Sequence, residues 1–225
     1  MGKLLLVILL FNWSACTDNT KEPHTQFEIS NNGEPEGPHT STEWKIWAYS
    51  TAAPSFIASG CRVMDADGTV LREGTNGWTA MPGNPRGMSD PENGRKDPRE
   101  AMPMVTDVQG MKWAMAYMAG TKPELDHGGW MYMLHGDMGE DNSVGMRMSF
   151  DSEGEIDIKT KETAAEGQWI ESGPHIMLMP KDPSSLKGLT TDFNSGGPYI
   201  MFEGTGYDHV MIPLEGYYDY QPQKK

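Results

Sequence analysis

A chain of 225 residues with a formal net charge of −14 is long enough for one domain with a proper core, or for two small ones. The acid excess argues against nucleic acid, whose phosphates require basic patches, and it repels anionic membrane surfaces. Cys16 and Cys61 are the only cysteines, which excludes a disulfide framework and a Cys-based zinc site.

In chain order, Met1-Gly2-Lys3 is a short basic start, Leu4–Phe11 is unbroken apolar sequence, and small Ser14 and Ala15 precede Cys16. This is the layout of a secretory signal peptide over residues 1–15. The apolar run is too short to span a bilayer, which takes about 20 residues. Ser-Ala-Cys also resembles a lipobox, after which cleavage leaves a lipidated N-terminal Cys16, although Trp13 stands where Leu is usual. An ordinary signal peptide that happens to contain a Cys is the alternative. The expectation is export to the periplasm, the outer membrane or the cell surface, with membrane contact through the lipid anchor only.

Residues 16–41 hold Pro23, Pro35, Pro38 and many polar residues, and read as a flexible tether with His24 and His39 solvated. A single domain follows over 42–216. Trp44, Ile46, Trp47 and Tyr49 fit a helix or a strand. Pro54 opens a helical turn at Ser55–Ala58. Cys61–Met64 and Thr69–Leu71 are short β-prone runs around the turn Asp65-Ala66-Asp67-Gly68, and Trp78-Thr79 continues them. Met81–Arg99, punctuated by Pro82, Pro85, Pro91 and Pro98, reads as a long irregular loop of the kind that is often functional.

The clearest helix comes next. Thr106 with Gln109 forms a capping box, Val108, Met111, Met115 and Met118 recur on one face, and Gly120 and Pro123 supply the stop. This predicts a methionine stripe packed on a sheet. Trp130–His135 reads as a strand. Val144, Met146, Met148 and Phe150, then Ile156 and Ile158, alternate as a hairpin. Three further apolar runs, His175–Met179, Tyr199–Phe202 and His209–Leu214, are separated by Gly and Pro. Residues 217–225 read as a loose polar tail. Many short strands and one confident helix predict an α+β fold with a mostly antiparallel sheet and one main amphipathic helix.

Several constellations bear chemistry. Asp65-Ala66-Asp67-Gly68-Thr69 resembles the first motif of haloacid-dehalogenase-type phosphatases, in which a nucleophilic Asp on a strand end is followed two residues on by an acid/base Asp. Gly136-Asp137-Met138-Gly139-Glu140-Asp141 resembles their late metal-binding motif, so Asp65, Asp67 and Asp137 form a candidate acidic site. The parallel crossovers of that fold are missing between them, and an Asp-Gly turn accounts for the first motif directly. Methionine is abundant, 18 in all, with Met-x-Met at 102/104, 131/133, 146/148 and 177/179. Thioethers two apart on a strand share a face and suit a soft ion such as Cu(I), with His175 and His209 beside them. The same spacing equally serves a core, where Met is a flexible filler. His135, His175 and His209 each adjoin a strand end and, with Met177 and Met179, make a candidate ligand or metal site. Acidic groups at Asp137/Glu140/Asp141 and Asp151/Glu153 fit solvated turns better than calcium loops. Cys61 lies in apolar sequence and reads as a buried small hydrophobe. Gly-x-Ser-x-Gly, His-Glu-x-x-His and phosphate-cradling Gly loops are absent.

Five phrases taken together, VLREGTNGW within Thr69–Trp78, SGPHIM, GLTTD, SGGPYIMFEGT and YDHVMIPL, resemble a family of small exported bacterial proteins of unknown function. The likeness runs from Ala52 to Leu214 except for Val144–Lys159, which reads as an insertion. It implies a place and no activity. Relatives tend to carry Cys at the position of Ala80 and again near Val105, and the resemblance implies that such cysteines pair to close the Met81–Arg99 loop. Relatives lack the Asp-x-Asp-Gly-Thr pattern at Asp65.

The resulting expectation is a non-catalytic envelope domain that binds a small ligand, a metal or a protein partner, with no cofactor assigned. Copper binding through methionine and histidine, and an Asp-based phosphatase or other hydrolase, are the alternatives.

Overall fold

A computed structural model describes residues 33–144 and 158–221. Ser41 caps helix α1 (Thr42–Ser50) by accepting from the Trp44 amide, and Pro54 leads into the single turn α2 (Ser55–Ala58). Strands β1 (Arg62–Met64) and β2 (Val70–Arg72) flank the Asp65–Gly68 turn, where Gly68 takes φ 87°. Then come β3 (Thr79–Pro82), the short helix α3 (Pro98–Ala101), β4 (Pro103–Thr106), helix α4 (Val108–Ala119) and β5 (Gly129–Met133). A two-residue pair, β6 (Glu140–Asp141) with β7 (Trp169–Ile170), precedes β8 (His175–Met179), β9 (Tyr199–Met201) and β10 (His209–Pro213). A 3-10 helix, Pro183–Leu186, sits between β8 and β9.

Eight strands form one sheet in the order β2-β1-β3-β4-β5-β8-β10-β9. Only β1 and β3 run parallel; every other neighbouring pair is antiparallel. The fold is therefore a mixed, mostly antiparallel sheet with helices, as the sequence predicts at that level. Among the described residues it carries two helices of comparable length, α1 of 9 residues and α4 of 12, where one main helix was expected. The stretch left open between helix and strand is α1, which covers Val63, Ala80 and Val105, whereas α4 covers the opposite face.

The two faces differ in chemistry because strand residues alternate sides. On the α4 side stand Met104, Met131, Met133, Met177, Met179, Met201 and Met211. On the other side Val105 and Tyr132 join the α1 cluster, while Ile200, Val210 and Leu178 pack with Leu186 of the 3-10 helix. In the sheet strands β4, β5, β8, β9 and β10 no Leu, Ile or Val faces α4, and no Met faces the other way.

Four expectations change. Helix α4 has the span and stop predicted, with Gly120 left-handed at its end, but its cap is Asp107, which accepts from the Gly110 amide at 2.7 Å. It turns Gln109, Gly110, Trp113 and Ala114 inward, leaving Val108 61% and Met115 52% exposed. The indole carries far more apolar area than the thioethers and takes the buried side. The end of the tether is tied down: Trp44 donates to Glu34 at 2.8 Å, and His39 stacks on Trp44. The tail is anchored by Tyr217, 1% exposed. Strand β4, absent from the prediction, pairs with both β3 and β5 and sets Ala80 directly opposite Val105. The expected hairpin between Val144 and Ile158 lies, apart from those two residues, outside the described residues.

The irregular loop after β3 is closed without a covalent link. Its organiser is Glu100, whose carboxylate accepts from the Ser89 amide and hydroxyl and from the Lys96 amide. Arg95, also buried, donates to the Gly87 and Glu100 carbonyls.

Candidate functional site

The methionine face lines a half-open cavity of about 90 Å³ beneath α4. Register explains its floor. Met211 of β10 stands opposite Met177 of β8, Met177 opposite Met131 of β5, and His209 opposite Met201 of β9. Trp113, Ala114 and Tyr117 of α4 form the roof. Helix and sheet come this close because two glycines meet: a Cβ on Gly129 would lie 2.4 Å from the Gly110 amide nitrogen.

His209 is fully buried. Its Nδ1 lies 3.0 Å from the Tyr207 carbonyl, which only an N–H can satisfy, so the unprotonated nitrogen is Nε2. Among the described residues Nε2 has no hydrogen-bond partner. The ring sits edge-on to Trp113 at 5.2 Å and to Phe202 at 5.3 Å. Burial pushes its pKa down to about 4, against the pull of the Tyr207 carbonyl. The imidazole is therefore neutral at neutral pH.

His175 lines the same cavity from its other end. It stands opposite Pro213, four residues along β10 from His209, or roughly 13 Å at the rise of a strand. Its Nδ1 is held 2.7 Å from the Gly173 carbonyl, and burial lowers its pKa, with nearby Asp137 opposing. Asp137 is 4% exposed and accepts from the Ser172 and Gly139 amides, both at 2.9 Å. Burial raises its pKa despite His175. Glu140 is pushed up to about 8 by burial, with Arg86, 3.7 Å away, pulling the other way. Behind His175, Tyr217 joins Tyr199 at 2.6 Å and Ser172 at 3.2 Å through its hydroxyl.

Backbone strain gathers on the same wall. Among the described residues, Met102 (φ 48°) and Phe202 (φ 59°) are the only non-glycine residues in the left-handed region, and both line the cavity. Such conformations cost about 1–3 kcal/mol each and concentrate at ligand-holding sites.

Of the candidate ligand residues, His175, His209 and Met177 come together around this space. Met179 is fully buried on the same face but belongs to the packing under Gly110 rather than to the cavity wall. His135 does not converge: its Nε2 lies 2.8 Å from the Thr51 hydroxyl at the end of α1, and burial lowers its pKa to about 4. A strand-end position told nothing about which side of the sheet its ring would take. Met211 stands beside His209 in the sequence and belongs to the soft-ion reading, whereas Met201, Trp113 and Phe202 carry no such signal.

The acidic candidates also separate. Asp65 pairs with Lys45 at 2.6 Å, and Asp67 accepts from the Thr69 amide within an exposed turn. That turn follows β1, with three strands between it and β8, beside which Asp137 is buried. The phosphatase constellation is not assembled. Among the described residues no group of three or more His, Cys, Asp or Glu is placed to hold a metal ion. Cys61 is buried beside Arg72, 3.3 Å away, and burial raises its thiol pKa, which suits packing rather than nucleophilic attack. Compared with family models, curated proteins and solved structures, the chain matches none.

Proposed function

We propose that this chain is an exported, lipid-anchored envelope domain that binds a small ligand in its methionine-lined cavity, as a carrier or sensor rather than a catalyst. The leader-like residues 1–15 and Cys16 support the location. The observation that carries the binding reading is the half-open space of about 90 Å³ with His209 on its wall, whose buried Nε2 has no hydrogen-bond partner among the described residues. Ligand sites are concave, mostly apolar, and oriented by a few polar groups. A cavity of ~150 Å³ lined by apolar side chains accepts benzene, so this one suits an occupant of a few heavy atoms.

Xenon tests the binding reading directly, because it enters dry apolar cavities. The wild-type protein is expected to give a saturable ¹²⁹Xe shift that disappears in Ala114→Met, which fills the roof. A wild-type protein that takes up no xenon overturns this reading. The location has its own test: Cys16→Ser is expected to move the protein from the membrane fraction to the soluble one, and an unchanged distribution removes the anchor.

A further inference from the structure

We infer that the cavity's ligand is a soft monovalent cation, Cu(I) or Ag(I), held by the Nε2 of His209 and the thioethers of Met201, Met211 and Met177. This names the ligand class of the binding site proposed above and rests on that reading.

The donor set follows from register. His209 and Met201 are cross-strand partners, as are Met211 and Met177, and Met211 lies two residues from His209 on the same side of β10. Neighbouring strands are about 4.8 Å apart, so four flexible donors crowd one patch of sheet. All four line the cavity. Three are neutral sulfur ligands and the fourth is a neutral imidazole nitrogen whose tautomer is fixed by Tyr207. A neutral sulfur-rich donor set discriminates between cations. Zn²⁺ and Cu²⁺ require anionic or more numerous nitrogen and oxygen donors to replace their hydration, whereas thioethers suit Cu(I).

Three further features fit a cation. The Trp113 and Phe202 rings stand at 5.2 and 5.3 Å from the His209 ring, so aromatic groups border the place of a desolvated positive charge. The chain's net charge of −14 draws cations toward it. The segregation of residue types is otherwise unexplained: Leu, Ile and Val fill the opposite face of the same strands, so filling a core did not require methionine here.

The test uses the full-length protein with silver nitrate in chloride-free buffer, and Cu(I) under anaerobic competition with a chromophoric chelator. Methionine εCH₃ resonances report thioether ligation and separate it from capture by a thiol; a Cys16→Ser/Cys61→Ala variant repeats the measurement without thiols. One equivalent of Ag(I) is expected to shift the Met177, Met201 and Met211 methyls and to quench tryptophan emission, with no response to Zn²⁺. Met201→Leu/Met211→Leu conserves volume, so it is expected to stay folded by circular dichroism while losing at least 100-fold in Ag(I) affinity. His209→Phe is expected to abolish binding. Unchanged affinity in the double leucine variant, or an equal response to Zn²⁺, overturns the inference. Xenon uptake without any Ag(I) response leaves the cavity as a binding site and removes the metal; neither response removes both.

Discussion

At the scale of single residues, two titratable groups at the cavity pull stability in opposite directions. His209 has a folded pKa of about 4 against an ordinary 6.5. Below 6.5 the unfolded chain takes up a proton that the folded chain refuses, so stability falls as pH drops from 6.5 to 4 and then levels off. The gap is worth about 3 kcal/mol when complete, at ~1.4 kcal/mol per pH unit. Glu140 does the reverse. Its folded pKa of about 8 exceeds the ordinary 4.5, so its contribution is whole below 4.5 and is lost as pH rises toward 8. Denaturant midpoints across pH 4 to 8 are therefore expected to form a dome. His209→Phe should flatten the acid limb in part, since His135 and His175 shift in the same direction. Glu140→Gln should flatten the alkaline limb. An acid limb identical in wild type and His209→Phe would mean that this imidazole is not desolvated.

At the scale of elements, the contact between α4 and β5 decides where the cavity roof sits. Alanine normally stabilises a helix interior by about 1 kcal/mol over glycine. At Gly110 a Cβ would lie 2.0 Å from the Thr106 hydroxyl, 2.7 Å from the Trp130 carbonyl and 2.9 Å from the Met179 methyl. Gly110→Ala is therefore expected to destabilise by about 2–3 kcal/mol, as overpacking does, read as a lowered urea midpoint. A neutral or stabilising result would place the helix farther from the sheet. The same element shows what was legible in the sequence. The span of α4 and its glycine stop were readable, because caps are local chemistry. Its inward face was not, because the regular methionines hid the single Trp113 that outweighs them. Strands β8, β9 and β10 were readable as apolar runs bounded by glycines and prolines. Strand β4 was not: Pro98 and Pro103 make its sequence read as loop, and pairing on both sides overrides that. The site followed the same division. His175, His209 and Met177 were visible as strand positions, whereas Met102 and Phe202 enter through left-handed backbone that no periodicity encodes.

At the scale of the whole molecule, the sheet separates two cores, and the two ends of the described chain fasten opposite ones. Glu34 and His39 brace Trp44 in the α1 core. Tyr217 belongs to the methionine core, standing edge-on to His175 at 5.9 Å, and Gln221 donates to the Glu171 carbonyl at 2.6 Å. Trimming the ends should therefore have unequal consequences. A chain beginning at Thr42 loses the Ser41 cap and the braces on Trp44, for about 1–2 kcal/mol relative to one beginning at Gly33. A chain ending at Gly216 loses a fully buried aromatic and leaves the Ser172 and Tyr199 hydroxyls without their partner, for about 3–5 kcal/mol. Function separates the two further. The first trimming leaves the cavity walls intact, so xenon uptake should persist wherever the protein is folded. The second opens the His175 end, so uptake should weaken even under conditions where circular dichroism reports a folded sheet. If trimming at Thr42 abolishes xenon uptake while trimming at Gly216 spares it, the two cores are coupled through the sheet and the cavity depends on the α1 side after all.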